Sequence, residues 1–364
     1  MKRLIGIIVL SLIILPLADA ERSFPVLGLC IAAPGHENVK DFEKFIREDL
    51  SPLGVNTLVL RVDWNYAYET HPELSNEDPL TKQDVRSLVR TCKELNIKII
   101  PQINLLGHQS WHSKAEKLLE VYPQFDETPW VVMPEKYEWP NPDGLYCKSY
   151  CPLHPDIHKI IFDVVGELVD AFEAEAFHAG MDEVFYLGES KCPRCSGRDK
   201  AELFAGEVNA IRNFLATKNA KLWIWGDRLI DGKGTGYGMW EASMNNTYRA
   251  IDMIYKDVVI CDWHYERPDL SAVWFAFKGF TVLTCPYRSP EVALKQLDNT
   301  ETFIKSSIKT MKGRYAGILQ TEWGSAEGFM SDFREIKKNG VAPEGKEKSG
   351  ANTFYILTKK ITAE

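Results

Sequence analysis

The sequence lacks the signatures of several common classes of protein. It has no long run of Lys or Arg, and its 364 residues carry a formal net charge of −8, which argues against a nucleic-acid-binding surface. It contains no His-Glu-x-x-His motif, no Gly-rich phosphate loop and no Gly-x-Ser-x-Gly elbow. These absences disfavour a zinc protease, a nucleotide-binding enzyme and a serine hydrolase, and we expect no cofactor.

Long apolar runs are also scarce, and the one that stands out lies at residues 4–17. Lys2 and Arg3 precede this run and Ala18-Asp19-Ala20 follows it, which is the pattern of a cleaved signal peptide. The run is too short for a comfortable membrane span. We therefore expect residues 1–20 to be removed and the mature protein to be secreted or periplasmic, without stable membrane insertion. An uncleaved N-terminal anchor is the less favoured alternative.

Cysteine is infrequent, with eight residues in the chain, and the eight divide into two groups. Four lie in apolar runs and are expected to be buried free thiols: Cys30, Cys92, Cys261 and Cys285. The other four lie in loops with C-x3-C and C-x2-C spacing: Cys147, Cys151, Cys192 and Cys195. The loop cysteines fit either two disulfides or a four-thiolate zinc site, and the predicted export favours disulfides.

What the sequence does contain is a regular alternation of strand-like and helix-like runs from residue 21 onward. The predicted strands are 26–33, 56–62, 98–103, a central strand that ends at Asp182-Glu183, 221–225, 258–263, 280–285 and 317–321. The predicted helices are 39–50, 82–95 with Thr81 as N-cap, 154–173, 199–218 and 300–311. Such an alternation predicts an α/β fold, a single (β/α)8 TIM barrel over residues 21–336. Residues 337–364 are predicted as a charged tail, loosely ordered at 337–348.

The central strand ends in two adjacent carboxylates, Asp182 and Glu183. Strict alternation places Asp182 on the same face as His178 and Gly180, so both carboxylates can share a cavity only if the strand stops or bulges there. Two close carboxylates disfavour joint ionisation, so that one can hold a proton at neutral pH. A protonated acid beside an ionised one suits the cleavage of a glycosidic bond. For an arbitrary Asp-Glu pair a solvated turn is the better interpretation, but the buried strand favours a site.

Polar and aromatic side chains recur just after the predicted strands, at the face of a barrel that carries catalysis. They are Asp63, Trp64, His108, Trp111, Asp182, Glu183, Trp225, Asp227, Trp263, Tyr287, Glu322 and Trp323. The many aromatic residues suit stacking on sugar rings, although most Trp residues in proteins belong to the core. The Gly-rich stretch 232–246 is predicted as a mobile lid.

The segment His178-Ala179-Gly180-Met181-Asp182-Glu183 resembles the His-x-Gly-x-Asp-Glu signature of the family 20 glycoside hydrolases, the β-N-acetylhexosaminidases. Weaker likenesses lie in the family's order: Pro101 with Gly107-His108, Leu153-His154-Pro155, and Trp225-Gly226-Asp227. The resemblance covers roughly residues 26–333.

The resemblance implies a function, namely cleavage of β-linked N-acetylhexosamine from glycans with retention of configuration. Glu183 would be the general acid and then the base, while Asp182 would orient the substrate's 2-acetamido group, whose oxygen attacks the anomeric carbon. Tyr287 would hydrogen-bond the acetamido carbonyl, and His108 would tune the acid or serve a structural role. The remaining residues expected to bind the carbohydrate are Trp225, Asp227, Trp263, Glu322 and Trp323.

The sequence departs from the family's pattern at the positions where the family binds the far hydroxyls of the sugar. The family's Arg at the end of the first strand is missing, since that region ends at Ala32-Ala33-Pro34. The Glu expected two residues after Trp323 is Ser325, with Glu322 and Glu327 as imperfect substitutes, and the Asp expected after Tyr287 is Ser289. The family's extra N-terminal domain is also missing from the predicted arrangement.

These departures leave two alternatives open. One is a carbohydrate-binding protein on a degenerate hydrolase barrel. The other is a glycosidase of different specificity that uses a separate carboxylate nucleophile roughly 5 Å from Glu183. The candidate nucleophiles are Asp227, Glu241 and Glu322. The choice between gluco and galacto sugars, and between exo and endo cleavage, is also open.

Overall fold

The computed structural model describes residues 24–136 and 147–363. Its barrel strands are β1 Val26–Ala32, β2 Thr57–Arg61, β3 Lys98–Leu105, β4 Ala176–Gly180, β5 Lys221–Trp225, β6 Val259–Asp262, β7 Thr281–Thr284 and β8 Tyr315–Thr321. All neighbouring pairs are parallel, and β8 pairs with β1 to close the barrel. The predicted (β/α)8 fold is therefore confirmed. A small hairpin, Ser110–Trp111 with Lys114–Ala115, follows β3.

The helices surround this barrel. They are α1 Val39–Phe45, α2 Lys82–Glu94, α3 Lys117–Val121, α4 Ile157–Ala171, α5 Lys200–Thr217, α6 Gly232–Thr235, α7 Gly238–Glu241, α8 Ser271–Phe277, α9 Pro290–Ser306, α10 Lys309–Lys312, α11 Ala326–Asn339 and α12 Gly350–Thr362. A π-helical turn, Ile46–Leu50, extends α1. Shorter 3₁₀ segments lie at His36–Asn38, Ser51–Leu53, Pro72–Leu74, Pro123–Phe125, Asp227–Leu229 and Thr247–Asp252.

Local sequence signals explain where two of these helices begin. Thr81 caps α2 as predicted, because its side chain accepts from the Asp84 backbone N–H while the Asp84 carboxylate accepts from that of Thr81. The predicted helix 300–311 is wrong in its bounds. The structure starts α9 at Pro290, whose fixed φ suits the first helical turn, ends it at Ser306 and places the separate α10 at Lys309–Lys312.

Two buried layers hold the fold together. The barrel interior is filled by side chains from successive strands, among them Val59, Trp223, Cys261 and Leu319. A larger apolar layer lies between the strands and the helices. Burying a side chain of this kind stabilises the fold by about 1.5–3 kcal/mol. The four cysteines predicted as buried free thiols, Cys30, Cys92, Cys261 and Cys285, are all fully buried and unpaired.

The C-terminal segment, predicted as a charged tail with a loose 337–348 stretch, is largely helical in the structure. Helix α11 continues to Asn339, and α12 covers most of the remainder. Phe354 and Leu357 of α12 are fully buried, and Phe354 contacts Phe329 and Phe333 of α11. Apolar contacts of this kind order the segment despite its charged flanks.

The predicted signal peptide, residues 1–20, lies outside the described residues. Among the residues that are described, no helix combines the length and apolar character needed to cross a bilayer.

Candidate active site

Strand β4 ends in a way that turns two consecutive carboxylates toward one cavity. The strand stops at Gly180, and the residues after it take left-handed backbone conformations, with φ of 71° at Met181 and 48° at Glu183. Gly180 itself has φ of 66°, and a Cβ there would approach Asn104 Oδ1 at 2.3 Å. Asp182 and Glu183 consequently both line one cavity, which confirms that the strand breaks at this point.

His108 links the two carboxylates. Its Nε2 lies 3.0 Å from Asp182 Oδ2 and 3.4 Å from Glu183 Oε2. Its backbone N–H donates to Cys147 Sγ at 3.0 Å, in a residue whose φ is 53°. Burial lowers the pKa of His108, but the charge of Asp182 and contacts with Cys147 outweigh it and raise the pKa well above its usual value. The imidazolium then donates from Nε2 to Asp182 Oδ2.

Asp182 is held as an anion with one oxygen still available. Burial opposes its ionisation, but the positive charge and hydrogen bond of His108 outweigh burial and lower the pKa of Asp182. His108 occupies Oδ2, whereas Oδ1 is buried and has no hydrogen-bond partner among the described residues. A buried carboxylate oxygen without a donor is costly unless a ligand supplies one. This oxygen is therefore a ready acceptor for a substrate N–H.

Asp227 lies behind the carboxylate pair and does not line the cavity. Its Oδ2 accepts from the backbone N–H of Glu183 at 2.9 Å and from Arg228 Nε at 2.6 Å. Arg228 in turn donates to the carbonyls of Met239 and Trp240. Asp227 was expected to bind the sugar, and the structure places it outside the set of residues that line the cavity. Asp227 positions the backbone of Glu183 instead.

The aromatic wall is partly as predicted. Trp263, Tyr287 and Trp323 line a cavity of about 730 Å³, which is within the size range of small-molecule sites. Trp225, by contrast, is fully buried beneath the cavity, with its ring centroid 4.4 Å from that of His178 and 5.6 Å from that of Trp323. Burial raises the pKa of Tyr287, so its hydroxyl stays protonated and can donate at neutral pH.

Glu322 also differs from the expectation. Its carboxylate lines a second, smaller cavity of about 370 Å³ beside the start of α12, and its Oε1 accepts from the Gly324 N–H at 2.7 Å. Glu327, the other imperfect substitute, accepts from the Gly35 N–H at 2.9 Å. Neither carboxylate lines the cavity that holds Asp182.

Arg61, which the sequence analysis did not identify, lines the cavity and supplies a positive charge that the end of β1 lacks. Arg61 is the last residue of β2 and pairs in register with Ala32 at the end of β1. Its Nη2 donates to the carbonyls of Glu322 and Gly324 at 3.1 and 3.3 Å, and its guanidinium lies 4.9 Å from the Trp323 ring centroid. Since β1 separates β2 from β8, the Arg61 side chain crosses the end of β1.

The rim of the cavity carries Glu241, which the sequence analysis named as one of three candidate nucleophiles. Glu241 Oε2 lies 3.0 Å from His264 Nδ1 and 2.8 Å from Arg267 Nη2. Glu241 lies in the Gly-rich stretch predicted as a lid, where the structure forms the short helices α6 and α7. Further cavity-lining residues are Asp63, Trp64, Asn104, Ser110, Trp111, Glu116, Trp240, Tyr265, Glu266 and Arg288.

The four loop cysteines are not brought together as one set. Cys151 lies near Cys192 and Cys195, while Cys147 contacts the His108 backbone in the active site. Sequence spacing alone could not separate Cys147 from the others, because all four precede or follow barrel elements in polar loops. A set of four thiolate ligands, or a Cys147–Cys151 disulfide, is therefore not supported by this geometry.

Comparison with known proteins relates this arrangement to carbohydrate enzymes. A β-hexosaminidase of Akkermansia muciniphila is 28% identical over 156 residues, which cover 41% of this chain and 28% of that protein. A lacto-N-biosidase of Bifidobacterium bifidum is 22% identical over 230 residues, or 59% of this chain and 17% of that protein. The chain thus spans less than a third of the length of either relative.

A solved structure agrees with the barrel fold, and a family model gives the family assignment. The chitobiase of Flavobacterium johnsoniae superimposes with a TM-score of 0.60 at 17% identity, over 93% of this chain and 51% of that one. At this identity the match speaks for the fold alone. The model of the glycosyl hydrolase family 20 catalytic domain matches residues 62–313, which is more than half of the sequence. The chain therefore belongs to glycosyl hydrolase family 20.

Proposed function

We propose that this protein is a glycosidase that cleaves β-linked N-acetylhexosamine residues with the help of the substrate's own acetamido group. The observation that carries the proposal is Asp182 Oδ1, which is buried and has no hydrogen-bond partner among the described residues. Asp182 lines the cavity and its pKa is lowered, so this oxygen is an anionic acceptor for a ligand. An acetamido N–H is a donor that suits this acceptor, and it would place the acetamido oxygen beneath the anomeric carbon.

The chemistry then follows from named groups. Glu183 donates its proton to the glycosidic oxygen as the bond from that oxygen to the anomeric carbon breaks. The acetamido oxygen forms a bond to the same carbon, which gives a positively charged oxazolinium ring that the Asp182 carboxylate stabilises. Glu183, now ionised, takes a proton from water, which opens the ring and returns the original configuration. No separate protein nucleophile is needed.

The remaining contacts bind the sugar ring. Trp263 and Trp323 offer flat apolar faces in the cavity, and the protonated Tyr287 hydroxyl is a donor for the acetamido carbonyl. Arg61 supports binding of the far hydroxyls, in the place where the family's first-strand Arg is missing. Its buried Nε has no hydrogen-bond partner among the described residues, so one donor is left for a ligand.

Hydrolysis of an aryl N-acetyl-β-glucosaminide tests the proposal. The wild-type protein should release the phenol, whereas an aryl β-glucoside, which has a hydroxyl in place of the acetamido group, should react far more slowly. Glu183→Gln should lower the rate by about 10²- to 10⁴-fold, the usual contribution of general acid catalysis. Glu202→Gln, on the exposed face of α5, is the matched control and should keep full activity.

Two outcomes would count against this reaction. Equal rates on both aryl substrates would indicate a conventional double displacement, for which Glu241 is the candidate carboxylate that lines the cavity. Saturable binding of N-acetylglucosamine without turnover of aryl or oligosaccharide substrates would instead favour a carbohydrate-binding barrel.

We also propose that the protein is exported, on the composition of residues 1–20 alone. Mass spectrometry of the protein recovered from outside the cytoplasm checks this proposal. A mature chain that starts at Glu21 would support it, whereas a protein that keeps Met1 and stays in the cytoplasm would contradict it.

A further inference from the structure

A compact cluster of sulfur and oxygen ligands lies beside the active site and takes no part in the reaction proposed above. It consists of Glu127, Cys151, Cys192 and Cys195, all buried, with one ligand atom from each lying within 4.8 Å of all the others. Cys151 Sγ is 3.6 Å from Cys192 Sγ and 3.3 Å from Cys195 Sγ. We call this set the Cys3Glu cluster.

The Glu127 carboxylate of this cluster forms no ion pair with a basic side chain among the described residues, although Glu127 is fully buried. The Glu189 backbone N–H donates to Oε1 at 3.0 Å, while Oε2 has no hydrogen-bond partner among the described residues. A buried carboxylate oxygen without a partner is costly unless a donor, a cation or a metal ion reaches it. The unpartnered Oε2 therefore points to a missing positive charge within the cluster.

The spacing of the sulfur atoms fits a shared metal ion better than a disulfide. Zn²⁺ binds thiolates at about 2.3 Å, which separates two sulfurs in a tetrahedral site by roughly 3.8 Å. A disulfide instead holds its two sulfurs at about 2.05 Å. Three mutually close thiols are also an odd number, so any disulfide among them would leave one thiol and the Glu127 carboxylate buried together.

Backbone amides around the cluster are arranged as in an outer coordination shell. The Cys195 N–H donates to Cys192 Sγ at 3.4 Å, within the C-x2-C turn. The N–H of Glu189, which lies in the same loop as Cys192 and Cys195, donates to the Glu127 carboxylate and orients it. Such second-shell donors orient metal ligands and stabilise their charge.

We propose that Glu127, Cys151, Cys192 and Cys195 bind one structural Zn²⁺ ion. Four protein ligands fill a tetrahedral shell and leave no open position for catalysis, which distinguishes a structural from a catalytic zinc. Zinc suits this donor set because thiolates are soft ligands and a carboxylate is an accepted fourth one.

The ion would join two long loops above the barrel. Glu127 and Cys151 belong to the segment between β3 and α4, which also carries His108 and Cys147. Cys192 and Cys195 belong to the segment between β4 and α5, which begins with Asp182 and Glu183. A bound metal therefore ties together the segments on which the carboxylates and their histidine lie, and metal binding contributes directly to folding.

Metal analysis of the full-length protein, purified with a reductant and a trace of zinc, tests the proposal. We expect about one zinc per chain, which Mg²⁺ does not displace. Cys195→Ser and Glu127→Gln should reduce the bound zinc several-fold, whereas Cys92→Ser, a buried free thiol on α2, should leave it unchanged. Circular dichroism establishes that each variant is folded.

A second measurement uses the wild-type protein and tests the proposal even if those variants fail to fold. Removal of the metal from the wild-type protein with a chelator should lower the Tm, and addition of Zn²⁺ should restore it. Replacement by Co²⁺ should give a thiolate-to-metal charge-transfer band, which is absent when only oxygen ligands bind. A wild-type protein without zinc after reduction and zinc addition would overturn the proposal. So would a Cys151–Cys195 or Cys151–Cys192 disulfide found by mass spectrometry in metal-free, fully stable protein.

Discussion

The two sides of the active-site cavity are built in different ways. On the carboxylate side, formed by Asp182, Glu183 and His108, backbone geometry fixes the side chains: β4 ends at Gly180, and left-handed residues follow. On the Arg61 side, formed by Arg61, Tyr265 and Trp323, long side chains reach across strand ends and hold one another.

This difference separates the reaction from the choice of sugar. The groups proposed to transfer the proton and to stabilise charge must be accurate to a fraction of an ångström, and a strained backbone within a buried barrel provides that accuracy. Groups that recognise distant hydroxyls can be supplied from another strand, as Arg61 is supplied by β2 rather than β1. The comparison predicts large effects on rate from the carboxylate side and smaller effects on binding from the Arg61 side.

The largest of these effects is expected at Asp182. Asp182→Asn removes the anion that faces the oxazolinium charge and leaves His108 without its main partner, so kcat on an N-acetylated substrate should fall by about 10²- to 10³-fold. Activity on a substrate without the acetamido group should hardly change. Steady-state kinetics on the two aryl glycosides check this, with Asp170→Asn on α4 as the matched control. An equal loss on both substrates would show that Asp182 does not act through the acetamido group.

The second effect concerns the contribution to stability of the contact between Glu241 and His264 at the cavity rim. Burial lowers the pKa of His264, but its interactions with the Asp262 and Glu241 carboxylates outweigh burial and raise the pKa to about 9. A raised pKa contributes stability that is fully present below about pH 6.5 and is lost as the pH rises through about 9. The contribution is roughly 3 kcal/mol at most.

Thermal denaturation between pH 6 and pH 10 measures this contribution. The Tm of the wild-type protein should fall across the interval, and His264→Gln should flatten the fall, because the titrating group is then absent. Burial lowers the pKa of His154 below its usual value, so His154→Gln should keep the wild-type slope above about pH 8, where this side chain is neutral in both the folded and the unfolded protein. A slope that His264→Gln leaves intact would place the titration elsewhere.

Periodicity and strand-end chemistry predicted the barrel and the carboxylate side well. Strands buried on both faces give short, nearly continuous apolar runs, which is why all eight could be found in the sequence. Asp182 and Glu183 could be recognised because they follow the β4 run directly. The start of α9 was missed, although Pro290 at the first helical position marks it.

The residues of the Arg61 side could not be predicted from the sequence in the same way. Arg61 contributes to it only because β1 is flanked by β2 and β8, which is a property of the closed barrel rather than of any local motif. Trp225 ends β5 and Asp227 follows it, but Trp225 packs against Trp323 and Asp227 accepts from the Glu183 N–H, and neither lines the cavity. Glu127 in the Cys3Glu cluster is likewise distant in sequence from the thiols it joins.

Arg61 gives the next prediction, which tests whether this side acts on binding. Arg61→Met keeps the length and apolar contact of the side chain but removes its donors, so KM should rise by about tenfold, equivalent to ~1.4 kcal/mol, with little change in kcat. Arg61→Lys should recover part of the loss, because it keeps the charge but not the planar donor geometry. Arg90→Met, on α2, is the surface control. A fall in kcat with unchanged KM would instead assign Arg61 to the chemical step.

The smallest effect is expected at Tyr265, which holds Trp323 without touching the carboxylates. Its hydroxyl accepts from Trp323 Nε1 at 2.9 Å, so Tyr265→Phe leaves that N–H without its partner while it keeps the ring contact with Trp263. The loss of one such hydrogen bond costs about 0.5–1.5 kcal/mol, which corresponds to a few-fold rise in KM if Trp323 forms part of the sugar wall. Tyr255→Phe, whose side chain is exposed, is the matched control. Unchanged KM together with a lowered Tm would show that the Tyr265–Trp323 hydrogen bond stabilises the barrel rim without contributing to recognition of the sugar.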